Sequence, residues 1–191
     1  MINEPVAVTL LVIEALERLG VSYVIGGSLA SAVHGVPRAT LDTDLVADLK
    51  PAHAGSLAQA LQPAFYADEG AIRAAIGLEQ SFNVIHLETM FKVDVFVAGS
   101  KAFARQQLAR RSARVVADDP ERTAYLLSAE DILLAKLDWY RQGGEVSERQ
   151  WRDVLGVLRA QAGRLDQAYL RQWAAQLRVS DLLERAVSEA A

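Results

Sequence analysis

Two glycines followed by a serine form the first motif with a chemical use. An apolar run at 21–25, which we predict to be a strand, stops at Gly26 and Gly27. Ser28 then opens an alanine-rich segment with helical character. A strand that turns into a helix in this way leaves unpaired backbone N–H groups at the helix start, where the helix dipole also favours an anion. The motif is therefore a predicted phosphate-binding site.

A pair of acidic residues, Asp42 and Asp44, forms the second motif, in a segment that we predict to be a strand. The side-chain period of two along a strand points both carboxylates to the same face, roughly 7 Å apart. Carboxylates this close repel each other unless a cation lies between them, and hard oxygen ligands favour Mg²⁺. The two motifs together suit metal-assisted phosphoryl transfer. The alternative is a plain glycine turn and a solvated pair of aspartates at a strand end.

Together, the two motifs resemble the signature of the DNA polymerase β-type nucleotidyltransferase superfamily. Within it, the pattern Arg38-x-Thr40-x-Asp42-x-Asp44 resembles the AbiEii/AbiGii-type nucleotidyltransferases, many of which are toxins of toxin–antitoxin pairs. The resemblance implies transfer of a nucleoside monophosphate from an NTP to an acceptor hydroxyl, with release of pyrophosphate. It implies two Mg²⁺ ions, with Mn²⁺ as a substitute, held by the two aspartates. It also suggests tRNA as the acceptor and a cognate antitoxin as a partner.

The third metal carboxylate of the superfamily lies on a strand next to the Asp-x-Asp strand, and Asp94 is the candidate here. Asp94 interrupts a strand-like run at 91–97, where an acid is costly to bury unless something pairs with it. By the resemblance, Asp94 completes the metal shell and helps to deprotonate the attacking hydroxyl. The alternative is an outward-facing aspartate between the core residues Val93 and Val95. Lys92 shares the face of Asp94 and supports this alternative.

Lys136 is the most informative residue of the C-terminal half. It falls in the middle of the apolar face of a predicted helix, whereas Asp131 lies outside that face. In the nucleotidyltransferases that this sequence resembles, a lysine of the helical part contacts the nucleotide phosphates, and Lys136 matches that lysine. Asp153 matches a further acidic motif that orients this lysine, although periodicity alone predicts a solvated aspartate there. The alternative for Lys136 is an extended lysine whose ammonium reaches solvent at a domain seam.

Two further basic features are candidates for contact with phosphate. Arg38 precedes the acidic strand, where a guanidinium can pair with a carboxylate or bind a nucleotide phosphate. The segment 101–114 holds five basic side chains and no acidic one. It is either a grip for an RNA acceptor or a solvated helix face.

Composition limits the class of protein. The chain has 191 residues, of which 51% are hydrophobic and 23% charged, so we expect a packed core rather than disorder. The absence of cysteine excludes disulfides, thiolate metal sites and a cysteine nucleophile, and it fits a reducing cytoplasm. No apolar run is long enough to span a membrane, so we predict a cytoplasmic protein without a membrane partner.

The predicted fold is α/β (α+β), with a small mixed or antiparallel twisted sheet and flanking helices. We predict a nucleotidyltransferase core at 1–118 and a C-terminal helical domain at 119–191, with the active site between them. Residues 101–114 are predicted to be helical, 113–116 a short strand, and 81–87 with 91–97 a hairpin.

Two other functions stay open at this point. One is nucleotidyl transfer to a protein or to a small molecule such as an antibiotic. The other is a non-catalytic antitoxin or binding module, which would have no need for three metal carboxylates.

Overall fold

A computed structural model describes residues 4–36, 40–118 and 120–190. Within these residues, the helices are α1 (Glu4–Arg18), α2 (Gly27–His34), α3 (His53–Leu61), α4 (Glu69–Leu78), α5 (Ala102–Arg110), α6 (Ala129–Gln142), α7 (Glu148–Ala160), α8 (Gln167–Leu177) and α9 (Ser180–Ala190). The strands are β1 (Tyr23–Ile25), β2 (Asp42–Ala47), β3 (Phe65–Tyr66), β4 (Ser81–His86), β5 (Lys92–Val97), β6 (Ser112–Asp118) and β7 (Glu121–Leu126). None of the described helices is both long and apolar enough to cross a membrane.

The strands of the described residues form one mixed sheet in the order β3-β4-β5-β2-β1-β7-β6. Strand β2 lies in the middle, antiparallel to β1 and parallel to β5. Strands β4 and β5 form the predicted hairpin. Strand β7 pairs in parallel with β1 through Ile25 and Leu126, and it pairs antiparallel with β6. The mixed sheet and the helices that follow it confirm the predicted α/β fold class.

One face of the central strands belongs to the core. Thr43, Leu45 and Ala47 of β2 are fully buried, whereas the residues between them are only half-buried. The hydroxyl oxygen of Thr43 lies 3.0 Å from that of Thr9 on α1, which ties β2 to the helix beneath it. Because a slip of one residue would turn every buried side chain outward, this alternation fixes which residues of β2 face away from the core.

The described residues divide into two compact units that interleave along the chain. The first unit contains 4–26 and 40–126, including the whole sheet, and the second contains 27–36 and 127–190. Strand β7 therefore belongs with the sheet, and α2 groups with the C-terminal helices. The domain boundary between 118 and 119 stays a prediction.

Within the second unit, α2 is fastened at its C-terminal end. The Nε2 atom of His34 lies 2.7 Å from the carbonyl oxygen of Leu127, and the side chain of Gln161 donates to the carbonyl oxygen of His34 at 2.8 Å. Gly35 lies so close to Val157 of α7 that a Cβ atom at residue 35 would be 3.0 Å from the Cγ2 atom of the valine. These contacts fix the direction of α2 and hence the place of its N-terminus within this unit.

Asp131 of α6 is fully buried, contrary to the prediction that it lies off the apolar face. Its carboxylate accepts hydrogen bonds from the hydroxyl of Tyr169, at 2.5 Å, and from that of Ser128, at 3.0 Å. The periodicity of α6 could not indicate this burial, because the tyrosine comes from α8, which lies far along the chain.

Candidate active site

Three predicted metal ligands lie on one face of two neighbouring strands. Strands β2 and β5 are parallel, with Asp44 directly opposite Asp94 and Asp42 directly opposite Lys92. Directly paired residues project from the same face of a sheet, and residues two apart on one strand share that face. The three aspartates therefore project from the face opposite the buried residues of β2.

Lys92 shares this face with the three aspartates. Its Nζ atom lies 2.7 Å from the Oδ2 atom of Asp94, and the two side chains are 41% and 20% exposed. The hydrogen bond with Asp94 raises the pKa of Lys92, and the charges of Asp94, Asp42 and Asp44 add to the rise, while burial opposes it. Lys92 is thus held as a cation among three carboxylates. In the sequence, the only sign of this role is its position two residues before Asp94.

Two backbone contacts hold the acidic strand in place. The hydroxyl of Thr40 donates to the backbone oxygen of Asp42 at 2.9 Å and lies 3.1 Å from its Oδ1 atom, which orients that carboxylate. The backbone N–H of Gly26 donates to the carbonyl oxygen of Asp44 at 2.8 Å. The glycine turn is therefore anchored to the acidic strand, and the N–H of Gly26 is used by this bond rather than left for a phosphate.

The predicted phosphate-binding residues that follow Gly26 begin α2. Gly27 has a φ of 54°, a left-handed conformation that glycine adopts without strain and that turns the chain from β1 into the helix. Ser28 is buried in the first turn of α2. The first N–H groups of a helix have no partner within the helix, so α2 begins where the sequence predicts a phosphate-binding site, and the binding of phosphate there stays a prediction.

Lys136 and Asp153 form a buried ion pair in the second unit. The Nζ atom of Lys136 lies 2.9 Å from the Oδ2 atom of Asp153, and the side chains are only 8% and 10% exposed. Asp153 is therefore not the solvated aspartate that the periodicity of α7 indicates by itself. The structure joins the two residues that the resemblance linked, and α2, which begins at Gly27, packs against both α6 and α7.

The basic segment is mostly engaged within the chain. Arg105 donates to the carbonyl oxygen of Gly99 at 2.7 Å, and a second nitrogen lies 3.0 Å from Asp48. The guanidinium of Arg111 lies over the ring of Tyr125, 4.6 Å from its centroid. Strand β6 also replaces the last residues of the predicted helix at 101–114. These contacts give both arginines a structural role. Arg38 lies outside the described residues.

The carboxylates of the sheet fit a hard divalent cation in ligand type. All three supply oxygen and share one face, and a cation, the Lys92 ammonium, already binds Asp94. As the described side chains stand, no three Asp, Glu, His or Cys residues are gathered closely enough to hold a metal ion. The three carboxylates therefore match the metal in ligand chemistry and in their placement on one face, while the Asp94 carboxylate is bound by Lys92.

Two solved structures share this architecture over nearly the whole chain. The crystal structure of an antigenic nucleotidyltransferase-like protein from Paracoccidioides brasiliensis has a TM-score of 0.53 and 18% sequence identity, covering 94% of this chain and 91% of that protein. The solution structure of the antibiotic-resistance factor ANT(2'')-Ia has a TM-score of 0.57 and 16% identity, covering 99% and 97%. The chain has a nucleotidyltransferase fold. No protein-family model matches the sequence, and no curated protein gives a significant match. The nucleotidyltransferase fold is therefore evident from the structure, and the AbiEii-type resemblance stays a prediction.

Proposed function

We propose that this protein is a metal-dependent nucleotidyltransferase that moves a nucleoside monophosphate from an NTP to an acceptor hydroxyl. The observation that carries the proposal is the register of β2 and β5, which sets Asp44 directly opposite Asp94, with Asp42 on the same face. The fold also supports the proposal, since the chain shares it with the nucleotidyltransferase-like protein and the antibiotic-resistance factor described above.

Each carboxylate has a role in this proposal. Asp42 and Asp44, together with Asp94, would hold Mg²⁺, or Mn²⁺ in its place. Two bound ions would neutralise charge on the phosphates and on the attacking and leaving oxygens. The acceptor oxygen bonds to the α-phosphorus, the bond from that phosphorus to the leaving pyrophosphate breaks, and Asp94 takes the proton of the acceptor hydroxyl.

The remaining predicted residues bind the nucleotide. The backbone of Gly27 and Ser28, with the Ser28 hydroxyl, holds the β- and γ-phosphates, and Gly26 keeps the turn attached to β2. Lys136, oriented by Asp153, offsets charge on the pyrophosphate that leaves. Arg38 is proposed as a further phosphate ligand.

Two acceptor classes are tested side by side. The resemblance favours tRNA, together with a toxin role and an antitoxin partner. The fold similarity to an antibiotic-resistance factor favours a small hydroxyl-bearing molecule. The contacts of Arg105 and Arg111 within the chain also favour the small acceptor, because they engage side chains that were predicted to grip RNA.

The test uses each α-phosphate-labelled NTP with Mg²⁺ and one acceptor at a time: total tRNA, a panel of hydroxyl-bearing antibiotics, or no addition. Asp44→Asn is the inactive variant. Asp48→Asn is the matched control, because Asp48 directly follows β2 but is already paired with Lys50 and Arg105. We expect label on one acceptor with the wild type and with Asp48→Asn, and a loss of more than about 100-fold with Asp44→Asn.

The acceptor that carries label decides the substrate class. Label on tRNA supports the RNA acceptor, label on an antibiotic supports the small molecule, and label on the protein itself supports protein modification. No label together with no Mg²⁺-dependent NTP binding would refute the proposal and leave a non-catalytic binding module.

A further inference from the structure

Lys92 lies where a metal cofactor would be expected to act. Its ammonium contacts Asp94 at 2.7 Å, and it lies opposite Asp42 in the register of β2 and β5. Asp44, the third carboxylate, is directly opposite Asp94. One positive charge thus faces three negative ones on a single sheet face, and it is bound to the carboxylate proposed to accept the proton of the attacking hydroxyl.

This arrangement has opposite effects before and after a divalent cation binds. Without the ion, the ammonium reduces the repulsion between carboxylates on adjacent strands. With the ion bound, the ammonium and the divalent cation repel each other over a few ångströms, and both compete for the Oδ2 atom of Asp94. A carboxylate oxygen that accepts a charge-assisted hydrogen bond is a weaker ligand than one that is free of it.

We propose that Lys92 is an internal counter-ion of the carboxylate face, which must release Asp94 when a divalent cation binds. The proposal rests on the proposed function for the identity of the metal ligands. The exchange replaces the N–H···O contact of Lys92 by a metal–oxygen contact and breaks no covalent bond. Lys92 is therefore a positioning residue, which keeps Asp94 oriented before metal binding and weakens the binding of the metal.

A second lysine–aspartate pair in the same unit provides a matched control. Lys50 and Asp48 are also two residues apart, their charged atoms lie 2.8 Å apart, and their side chains are 50% and 24% exposed. These values are close to those of the Lys92–Asp94 pair. The difference is that Asp48 pairs with a second cation, Arg105, whereas Lys92 faces further carboxylates.

The experiment measures Mn²⁺ affinity by titration calorimetry and by the electron paramagnetic resonance signal of free Mn²⁺, without nucleotide. The proteins are the wild type, Lys92→Met, Lys92→Gln, Lys50→Met and Asp44→Asn. We expect Lys92→Met and Lys92→Gln to bind Mn²⁺ about tenfold more tightly than the wild type, because one repelling charge is removed. Lys50→Met should bind as the wild type does, and Asp44→Asn should lose the site.

A second measurement follows Lys92 in the wild type, so the test does not depend on the folding of a variant. The ¹⁵Nζ resonance of Lys92, assigned by its loss in Lys92→Gln, should move on addition of diamagnetic Mg²⁺, whereas that of Lys50 should not.

The possible results separate this proposal from the proposed function. Asp44-dependent Mn²⁺ binding that is equal or weaker in both Lys92 variants, with no movement of the Lys92 resonance, overturns the counter-ion role and leaves the proposed function standing. Binding by the Lys92 variants alone supports the proposal in its strongest form. No Asp44-dependent binding by any of the proteins overturns both.

Discussion

The ion pair of Lys136 and Asp153 brings two opposite charges into a place that water scarcely reaches. Both side chains are about nine-tenths buried, so each charge relies on its partner for part of the stabilisation that water would otherwise give. Replacement of either residue should therefore lower the stability of the fold, and this effect is separate from any loss of nucleotide binding. Measurements of stability and of binding must be kept apart for this site.

Replacement of Lys136 by methionine should lower the free energy of unfolding by about 3 kcal/mol, because Asp153 then loses the ammonium that offsets its buried charge. Urea denaturation at neutral pH measures the change. The control is Arg73→Met, which removes an exposed ion pair with Glu69 and should cost less than about 1 kcal/mol. Equal effects of the two substitutions would contradict the buried-pair interpretation.

Tyr23 makes the folding stability of the protein depend on pH in the alkaline range. Burial of the ring, and then the hydrogen bond that its hydroxyl donates to Glu17 at 2.9 Å, raise the pKa of Tyr23 well above its usual range. In the unfolded chain the phenol loses its proton near pH 10, whereas the folded protein keeps it. Unfolding then releases a proton, so stability falls as the pH rises above about 10.

The variant Tyr23→Phe should lose stability less steeply above that pH. The difference in slope should approach about 1.4 kcal/mol per pH unit, the contribution of one proton. Urea midpoints of both proteins at several pH values between neutrality and pH 11 measure it. Parallel curves for the two proteins would show that Tyr23 ionises normally in the folded state.

At the scale of elements, the packing of α2 against α7 depends on a missing side chain. A Cβ atom at Gly35 would lie 3.0 Å from both the Cγ2 atom and the backbone nitrogen of Val157. The backbone cannot move aside as a flexible side chain can, so the two helices would have to separate. The glycine thus sets how close α2 comes to α7, which carries Asp153.

Substitution of Gly35 by alanine should destabilise the protein by about 1–3 kcal/mol through this overpacking. The matched control is Gly77→Ala within α4, where an added Cβ atom meets nothing within 4 Å. That change should stabilise by about 0.5–1 kcal/mol, because alanine favours the helix over glycine. Thermal unfolding of both variants measures these changes in stability. An increase in stability on Gly35→Ala would refute the close contact.

Elements with a local signal were predictable, and those that depend on distant partners were less so. Ser128, Ser147 and Asp166 each accept a hydrogen bond from a backbone N–H in the first turn of α6, α7 and α8, and serine and aspartate are residue types favoured at such helix starts. The predicted helix at 101–114 instead ends at Arg110. Residues 112–118 form β6, which pairs with β7, and no local pattern in the sequence indicates that β7 is the partner.

The same distinction applies to the candidate site. The common face of Asp42 and Asp44 follows from the period of a strand, so it could be predicted from spacing. The register that sets Asp94 opposite Asp44 depends on how β5 joins the sheet, and it became visible only in the structure. The contact of Lys92 with Asp94 was likewise hidden, since a shared face does not say which charges meet.

At the scale of the molecule, the predicted site residues separate by unit. The three carboxylates lie in the first unit, whereas Gly27, Ser28, Lys136 and Asp153 lie in the second. Residues 27–36 lie in the sequence between the two segments of the first unit, yet they pack with the C-terminal helices. The chain therefore passes between the units three times.

A fragment that ends after residue 126 should not reach the fold that the first unit has in the full-length protein. It keeps α2 but lacks α6 and α7, against which α2 packs, so the buried face of α2 is left uncovered. We expect binding of a hydrophobic dye and a broad thermal transition, beside a sharp one for the full chain. A sharp transition without dye binding would show that the first unit folds independently.

The fastening of α2 also sets a delay during synthesis. His34 contacts Leu127, which is made 93 residues later, and its carbonyl group is bonded by Gln161, made 127 residues later. At a translation rate of about 5–20 residues per second, the second helix to emerge waits roughly 5–25 s for these partners. The turn that carries Gly27 and Ser28 is thus among the first parts of the protein to be made and among the last to be fixed.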